Sequence, residues 1–176
     1  YYALLSGLCW LAGAVLAFRD KRNMAMTFTG LGSLVFFVYI VGMWISLERP
    51  PLRTMGETRL WYSFFLSMIG GVLYAKCRYR WILGFSTLMS LVFVLINLLK
   101  PEIHSKALMP ALQSVWFVPH VIVYMFSYAL LGAVTLFAIY LWFRKTPEEA
   151  SDKELSICDG LVRVGWSCLT LGMTMG

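Results

Sequence analysis

Two groups of residues have the types and spacing for chemistry: a histidine framed by aromatics, and three arginines in one short polar segment. His120 stands where the polar-aromatic stretch Gln113-Ser114-Val115-Trp116-Phe117 passes into a long apolar run that ends at Arg144 and Lys145. Trp116 and Tyr124 lie four residues to either side of it, a spacing that shares one face wherever the backbone is helical. From His120 to Phe143 the run makes about 36 Å of helix at 1.5 Å per residue, against a hydrocarbon core of roughly 30 Å. If the basic pair marks one membrane face, His120 lies at the opposite one. A neutral imidazole there, beside aromatic faces, suits axial ligation of the iron of a flat apolar macrocycle such as haem. The plainer alternative is a histidine that only ends an interfacial helix, with Pro119 in a first-turn position where its missing N–H costs nothing.

Arg49, Arg53 and Arg59 fall in Glu48-Arg49-Pro50-Pro51-Leu52-Arg53-Thr54-Met55-Gly56-Glu57-Thr58-Arg59. Guanidinium groups pair well with carboxylates, so these three are candidates for the propionates of a haem. The alternative is pairing with Glu48 and Glu57 or with lipid headgroups. His104, in Glu102-Ile103-His104-Ser105-Lys106, reads as a solvated loop histidine, and its spacing from His120 matches no zinc motif. Asp159 and Arg163 are set for an i,i+4 pair near a helix start. Cys9, Cys77, Cys158 and Cys168 form neither CxxC nor CxxCH, so no redox pair or covalent haem attachment site is encoded in these residues. Phosphate loops, paired carboxylates and a serine nucleophile elbow are likewise missing from the sequence.

The elements that must position these residues follow from composition. The chain is 60% hydrophobic and 14% charged, where a water-soluble domain carries about 25% charge. The expected fold class is all-α: a polytopic transmembrane bundle of about six helices forming one domain over 1–176. Six continuous apolar segments can be drawn: 1–18, 25–47, 60–75, 81–99, 120–143 and 157–176. They lack the alternation of barrel strands. The third is short for a span, which would leave Trp61 and Tyr62 at an interface. Pro147 to Glu154 reads as a polar linker.

Loop charges give the orientation. Arg19, Lys21, Arg22, Lys76, Arg78, Arg80, Arg144, Lys145 and Lys153 fall on one side, and Arg49, Arg53, Arg59, Lys100 and Lys106 on the other. The larger group marks the cytoplasm, so His120 and the Glu48–Arg59 loop face outward. The net charge of +6 is thus read as membrane orientation and not as nucleic-acid binding. Gly172 and Gly176 form a small-xxx-small pair on the last segment, and Gly30, Gly32, Gly70 and Gly71 are further candidates for close helix contact. Tyr1 and Gly176 both fall inside apolar runs, so the sequence reads as a piece of a longer chain.

Three stretches resemble the CcsA (ResC) family of cytochrome c assembly proteins, the haem-handling component of the system II pathway. RPPLRTMGETRLWYSFFL resembles an early loop and helix of that family, and LQSVWFVPHVIVYMFSYALLGAVTLFAIYLW resembles the segment holding its first external histidine. LTLGMTMG resembles the helix leading into its tryptophan-rich external segment. The likeness covers most of the chain, and the histidine segment is its most specific part. It implies that His120 is an axial ligand to haem in transit, expected to be haem b, and the residue types read above then offer Trp116 and the three arginines as borders of the same cargo. It implies delivery of haem from the cytoplasmic side and attachment to the CXXCH cysteines of apocytochrome c. A CcsB (ResB)-like membrane partner would complete a cytochrome c synthase in a bacterial inner membrane. The family's second external histidine and its tryptophan-rich segment do not occur in these residues. A CcmC-like or CcmF-like haem handler, and a transporter or structural membrane subunit, are the competing readings. The helix interiors offer mainly Ser and Thr, where a transporter would carry polar or broken helices at the midplane.

Overall fold

The computed structural model describes residues 2–52, 54–77, 79–99, 116–144 and 152–175. They form six helices in chain order: α1 (Tyr2–Phe18), α2 (Arg22–Leu47), α3 (Met55–Cys77), α4 (Arg80–Leu99), α5 (Phe117–Arg144) and α6 (Asp152–Met175). No strand occurs among the described residues, so the all-α expectation holds. The helices α2 to α5 are long and apolar enough to cross a membrane, and α1 is a shorter apolar helix. α6 is 24 residues long and opens on a polar turn carrying Asp152 and Glu154, carboxylates that suit a helix N-terminus. Lys100 to Val115 and Lys145 to Ser151, with His104 among them, and Arg53 lie outside the described residues.

The chain divides into two compact units, Tyr1–Ser114 and Val115–Gly176. In the first, α1 packs on α2 and α4, and α3 packs on α2 and α4. Its interior holds Trp10 and Phe36 with ring centroids 5.0 Å apart, and both are fully buried. The same interior buries Ser6, Thr29, Ser63, Ser67, Ser90 and Asn97, while Leu4, Leu8, Leu34, Ile45 and Leu95 face outward. Such a polarity pattern suits hydrocarbon and not water, because lipid removes the drive to bury leucine and leaves hydrogen bonds to hold helices together. Serine and threonine hydroxyls are satisfied accordingly: Ser90 Oγ donates to the Ser63 carbonyl (2.9 Å), and Thr29 Oγ1 donates to the Ala25 carbonyl (2.8 Å). With its apolar helices, this is the build of an integral membrane protein.

Of the glycines expected to bring helices together, Gly32 meets Trp10 and Gly70 meets Ser86, so a Cβ at either would collide. Gly30 has nothing near it and lines a groove of ≈ 350 Å³ with Met26, Met68 and Gly71.

α3 starts at Met55, five residues before the apolar run that marks it in the sequence. The cause is a capping box. Thr54 Oγ1 accepts from the Glu57 N–H (3.3 Å) and Glu57 Oε2 accepts from the Thr54 N–H (3.2 Å), satisfying two of the orphan donors of a helix start. The added turn brings α3 to 23 residues, so it is not short for a span. Basic side chains close the other end of this unit. Arg22 Nη2 donates to the Ala75 carbonyl at the end of α3 (3.0 Å), and Arg80 donates to the Phe18 carbonyl at the end of α1 and pairs with Asp20. Cations at helix C-termini also complement the macrodipole.

Candidate functional site

α5 begins at Phe117, so Pro119 lies in its first turn, as the sequence indicates. The His120 N–H donates to the Trp116 carbonyl (3.1 Å), which makes the Trp116–His120 turn helical in spite of the proline. Trp116 itself is 64% exposed. One turn further on, Tyr124 packs edge-on against His120, with ring centroids 4.6 Å apart and planes at 78°. Tyr128 stacks on Tyr124 at 5.6 Å. On the C-terminal side of the histidine the aromatic framing is therefore realised as a direct ring contact.

The partner of His120 comes from α6. Its Nδ1 lies 2.8 Å from the carbonyl oxygen of Gly172. A carbonyl only accepts, so Nδ1 carries the proton, and in the neutral ring the lone pair is on Nε2. This is the arrangement that orients an imidazole toward a metal through its other nitrogen. The interface is built on glycine: a Cβ on Gly172 would lie 3.2 Å from two Tyr124 ring carbons. Seven residues away along each helix the pattern recurs, with Ser127 Oγ donating to the Gly165 carbonyl (2.7 Å). Gly165 thus joins Gly172 in this packing; Gly176, the other member of the small-xxx-small pair, lies outside the described residues. Gly165 and Ser127 carry no local motif in the sequence, but they sit seven residues from Gly172 and His120 respectively, and that spacing is the usable signal.

The arginines occupy the first unit. Arg49 sets both guanidinium nitrogens on Glu57, Nη2 to Oε1 at 2.9 Å and Nη1 to Oε2 at 3.1 Å. Glu57 is only 1% exposed, so the pair is largely desolvated. The Pro50-Pro51 turn is held by the Trp61 indole N–H, which donates to the Pro51 carbonyl (3.0 Å), and Asn97 Nδ2 donates to the Gly56 carbonyl (2.6 Å). Arg59, two positions past Glu57 on α3, has a buried Nη1 with no hydrogen-bond partner. Arg53 lies outside the described residues. Trp61, which the sequence placed at an interface, is a buried part of this turn.

Asp159 and Arg163 form the expected i,i+4 pair at 2.5 Å, and both are exposed. The four cysteines are all free. Among the described residues, no three or more His, Cys, Asp or Glu side chains gather as a metal site.

The model of the family described as cytochrome C assembly protein matches residues 1–176. The chain belongs to the cytochrome c assembly protein family. Among curated proteins it is 32% identical over 125 residues to "Cytochrome c biogenesis protein CcsA" of Phalaenopsis aphrodite subsp. formosana, a match covering 69% of this chain and 37% of that protein. It is similar to the protein of that name from Panax ginseng, at 34% over 118 residues covering 62% and 37%. The one from Manihot esculenta is 32% identical over 132 residues, covering 72% and 39%. The chain thus spans little more than a third of the length of these relatives. No solved structure matches it. The family match covers both the His120 helix and the Arg49–Arg59 turn, so the two candidate regions belong to one cytochrome c assembly protein.

Proposed function

We propose that this protein carries haem to the outer face of the membrane and presents it for attachment to apocytochrome c, with His120 as an axial ligand through Nε2. The observation that carries the reading is the hydrogen bond from His120 Nδ1 to the Gly172 carbonyl. The bond fixes the tautomer and leaves the lone pair on Nε2, the way a metal-ligating histidine is characteristically held. The family adds the cargo class, and the charge bias of the loops puts His120 outside.

In this reading the cargo is haem b held without covalent bonds, and 1–176 works as one haem-handling domain. Trp116 offers an exposed apolar face beside the ligand. The arginines answer propionate charge; of the two described, Arg49 already grips Glu57 with its fork, while Arg59 keeps a buried Nη1 without a hydrogen-bond partner. The second axial position is filled from outside these residues. A CcsB (ResB)-like membrane protein completes a cytochrome c synthase, and the membrane is the inner membrane of a bacterium. The protein's contribution to the attachment step is positioning: holding cargo and the two thiols of CXXCH in register removes much of the entropic barrier.

The test is the full-length protein purified with its bound haem. His120→Ala should lose most of its b-type absorption, and added imidazole should restore part of it. Unchanged haem content in that variant would remove His120 from the site. Replacing Arg49, Arg53 and Arg59 together by glutamine, with haem occupancy unaffected, would remove the propionate role.

A further inference from the structure

A single glycine makes two separate contacts with the His120 site. Its carbonyl takes the Nδ1 proton at 2.8 Å. A carbonyl oxygen has two lone pairs, so it can accept this proton whatever else it bonds. The bare face of the same residue receives Tyr124, whose Cδ2 and Cε2 would stand 3.2 Å from a Cβ placed there and whose Cγ would stand at 3.4 Å. Tyr124 in turn meets His120 edge-on at 78°. One contact fixes which nitrogen is protonated; the other fixes the plane in which the imidazole lies.

The register that brings Gly172 to this place is secured independently. Ser127, fully buried, donates to the Gly165 carbonyl at 2.7 Å, and a Cβ on Gly165 would stand 2.9 Å from a Leu131 methyl carbon. His120 and Ser127 are seven residues apart on α5, and Gly165 and Gly172 are seven apart on α6, so the two bonds repeat one antiparallel pairing. Sliding α6 by a residue would break both.

We propose that Gly172 is the positioning residue for His120: it holds the imidazole as the Nδ1–H tautomer and sets its plane through Tyr124, leaving Nε2 as the nitrogen offered to iron. This rests on the reading of His120 as a haem ligand. A ring that donates Nδ1–H to a carbonyl is the more basic at Nε2, so the contact strengthens the ligand and favours ferric over ferrous iron.

The experiment uses the full-length protein with its haem. Gly172→Ala pushes the Tyr124 ring and lengthens the Nδ1 bond. It should weaken haem binding about 10-fold or more, the usual effect of losing the group that orients a metal-bound histidine, and raise the midpoint potential while a b-type spectrum persists. Gly165→Ala crowds the same interface against Leu131 and should leave the potential where it was. Equal potentials in the Gly172→Ala protein and the parent would overturn the inference, as would a Gly165→Ala shift as large as that of Gly172→Ala. Should Gly172→Ala not assemble, ¹⁵N-histidine spectra of the haem-free parent decide the matter, with the His120 signal assigned by its loss in His120→Gln. An Nδ1–H tautomer supports the proposal and an Nε2–H tautomer overturns it. Haem binding that survives His120→Gln would sink the ligand reading itself, a result distinct from loss in His120→Gln with no effect of Gly172→Ala.

Discussion

In the four-helix unit the turn before α3 is tied by several buried polar groups at once; in the α5–α6 hairpin two side chains, His120 and Ser127, are each tied to the carbonyl of one glycine. Glu57 takes both arms of Arg49 and closes a capping box with Thr54, and Trp61 and Asn97 tie the same turn from two sides. That end of the unit is held by several bonds that support each other. The hairpin has one seam, where Gly165 and Gly172 are the buried residues of α6, while Trp166, Leu171 and Met173 beside them are exposed. A region with redundant ties suits a scaffold. A region whose geometry hangs on two glycine carbonyls suits a site, because a small displacement of one helix changes what the histidine presents.

That contrast can be broken at its strongest point first. Glu57→Ala leaves Arg49 desolvated and unpaired and removes half of a capping box, and it should destabilise the protein by about 3–5 kcal/mol. Unfolding in mixed micelles would measure it, and a loss below about 1 kcal/mol would mean that the turn is not the anchor described here. Next comes the hairpin. Gly165→Ala forces its Cβ against Leu131, at a cost of about 1–3 kcal/mol read by the same assay. Ser127→Ala removes one hydrogen bond and should cost about 1 kcal/mol. If Ser127→Ala proved as damaging as Glu57→Ala, the hairpin would be no more delicate than the bundle. The smallest effect belongs to the surface. Asp159→Asn breaks an exposed i,i+4 pair and should change stability by no more than about 0.5 kcal/mol, a difference that would vanish at high salt.

Much of the architecture was legible from residues alone, for reasons that are local. Continuous apolar runs gave six helices, because the hydrogen bonds of a helix in lipid are all made within the segment. The Asp159–Arg163 pair was legible because i and i+4 are neighbours on any helix. The late start assigned to α3 shows where run-counting falls short: Thr54-Met55-Gly56-Glu57 is a capping box whose signal is polar, and it extends the helix through residues that hydrophobicity assigns to a loop. Gly172 was legible as a small residue; that Gly165 joins it at the seam was not, since an antiparallel seam repeats every seven residues and its choice depends on which face of α6 meets α5.

The sequence by itself determined that this is a bundle of apolar helices, that His120 opens one of them beside aromatics, and that three arginines fall in one short polar segment. Those features depend on neighbours within a helical turn or two. Only the tertiary structure decided that Arg49 spends its fork on Glu57 across the Pro50-Pro51 turn, and that Nδ1 of His120 is bound to a carbonyl 52 residues away. The proton on an imidazole follows whichever acceptor comes within reach, and reach over that distance is set by how α6 packs on α5, which no local pattern encodes.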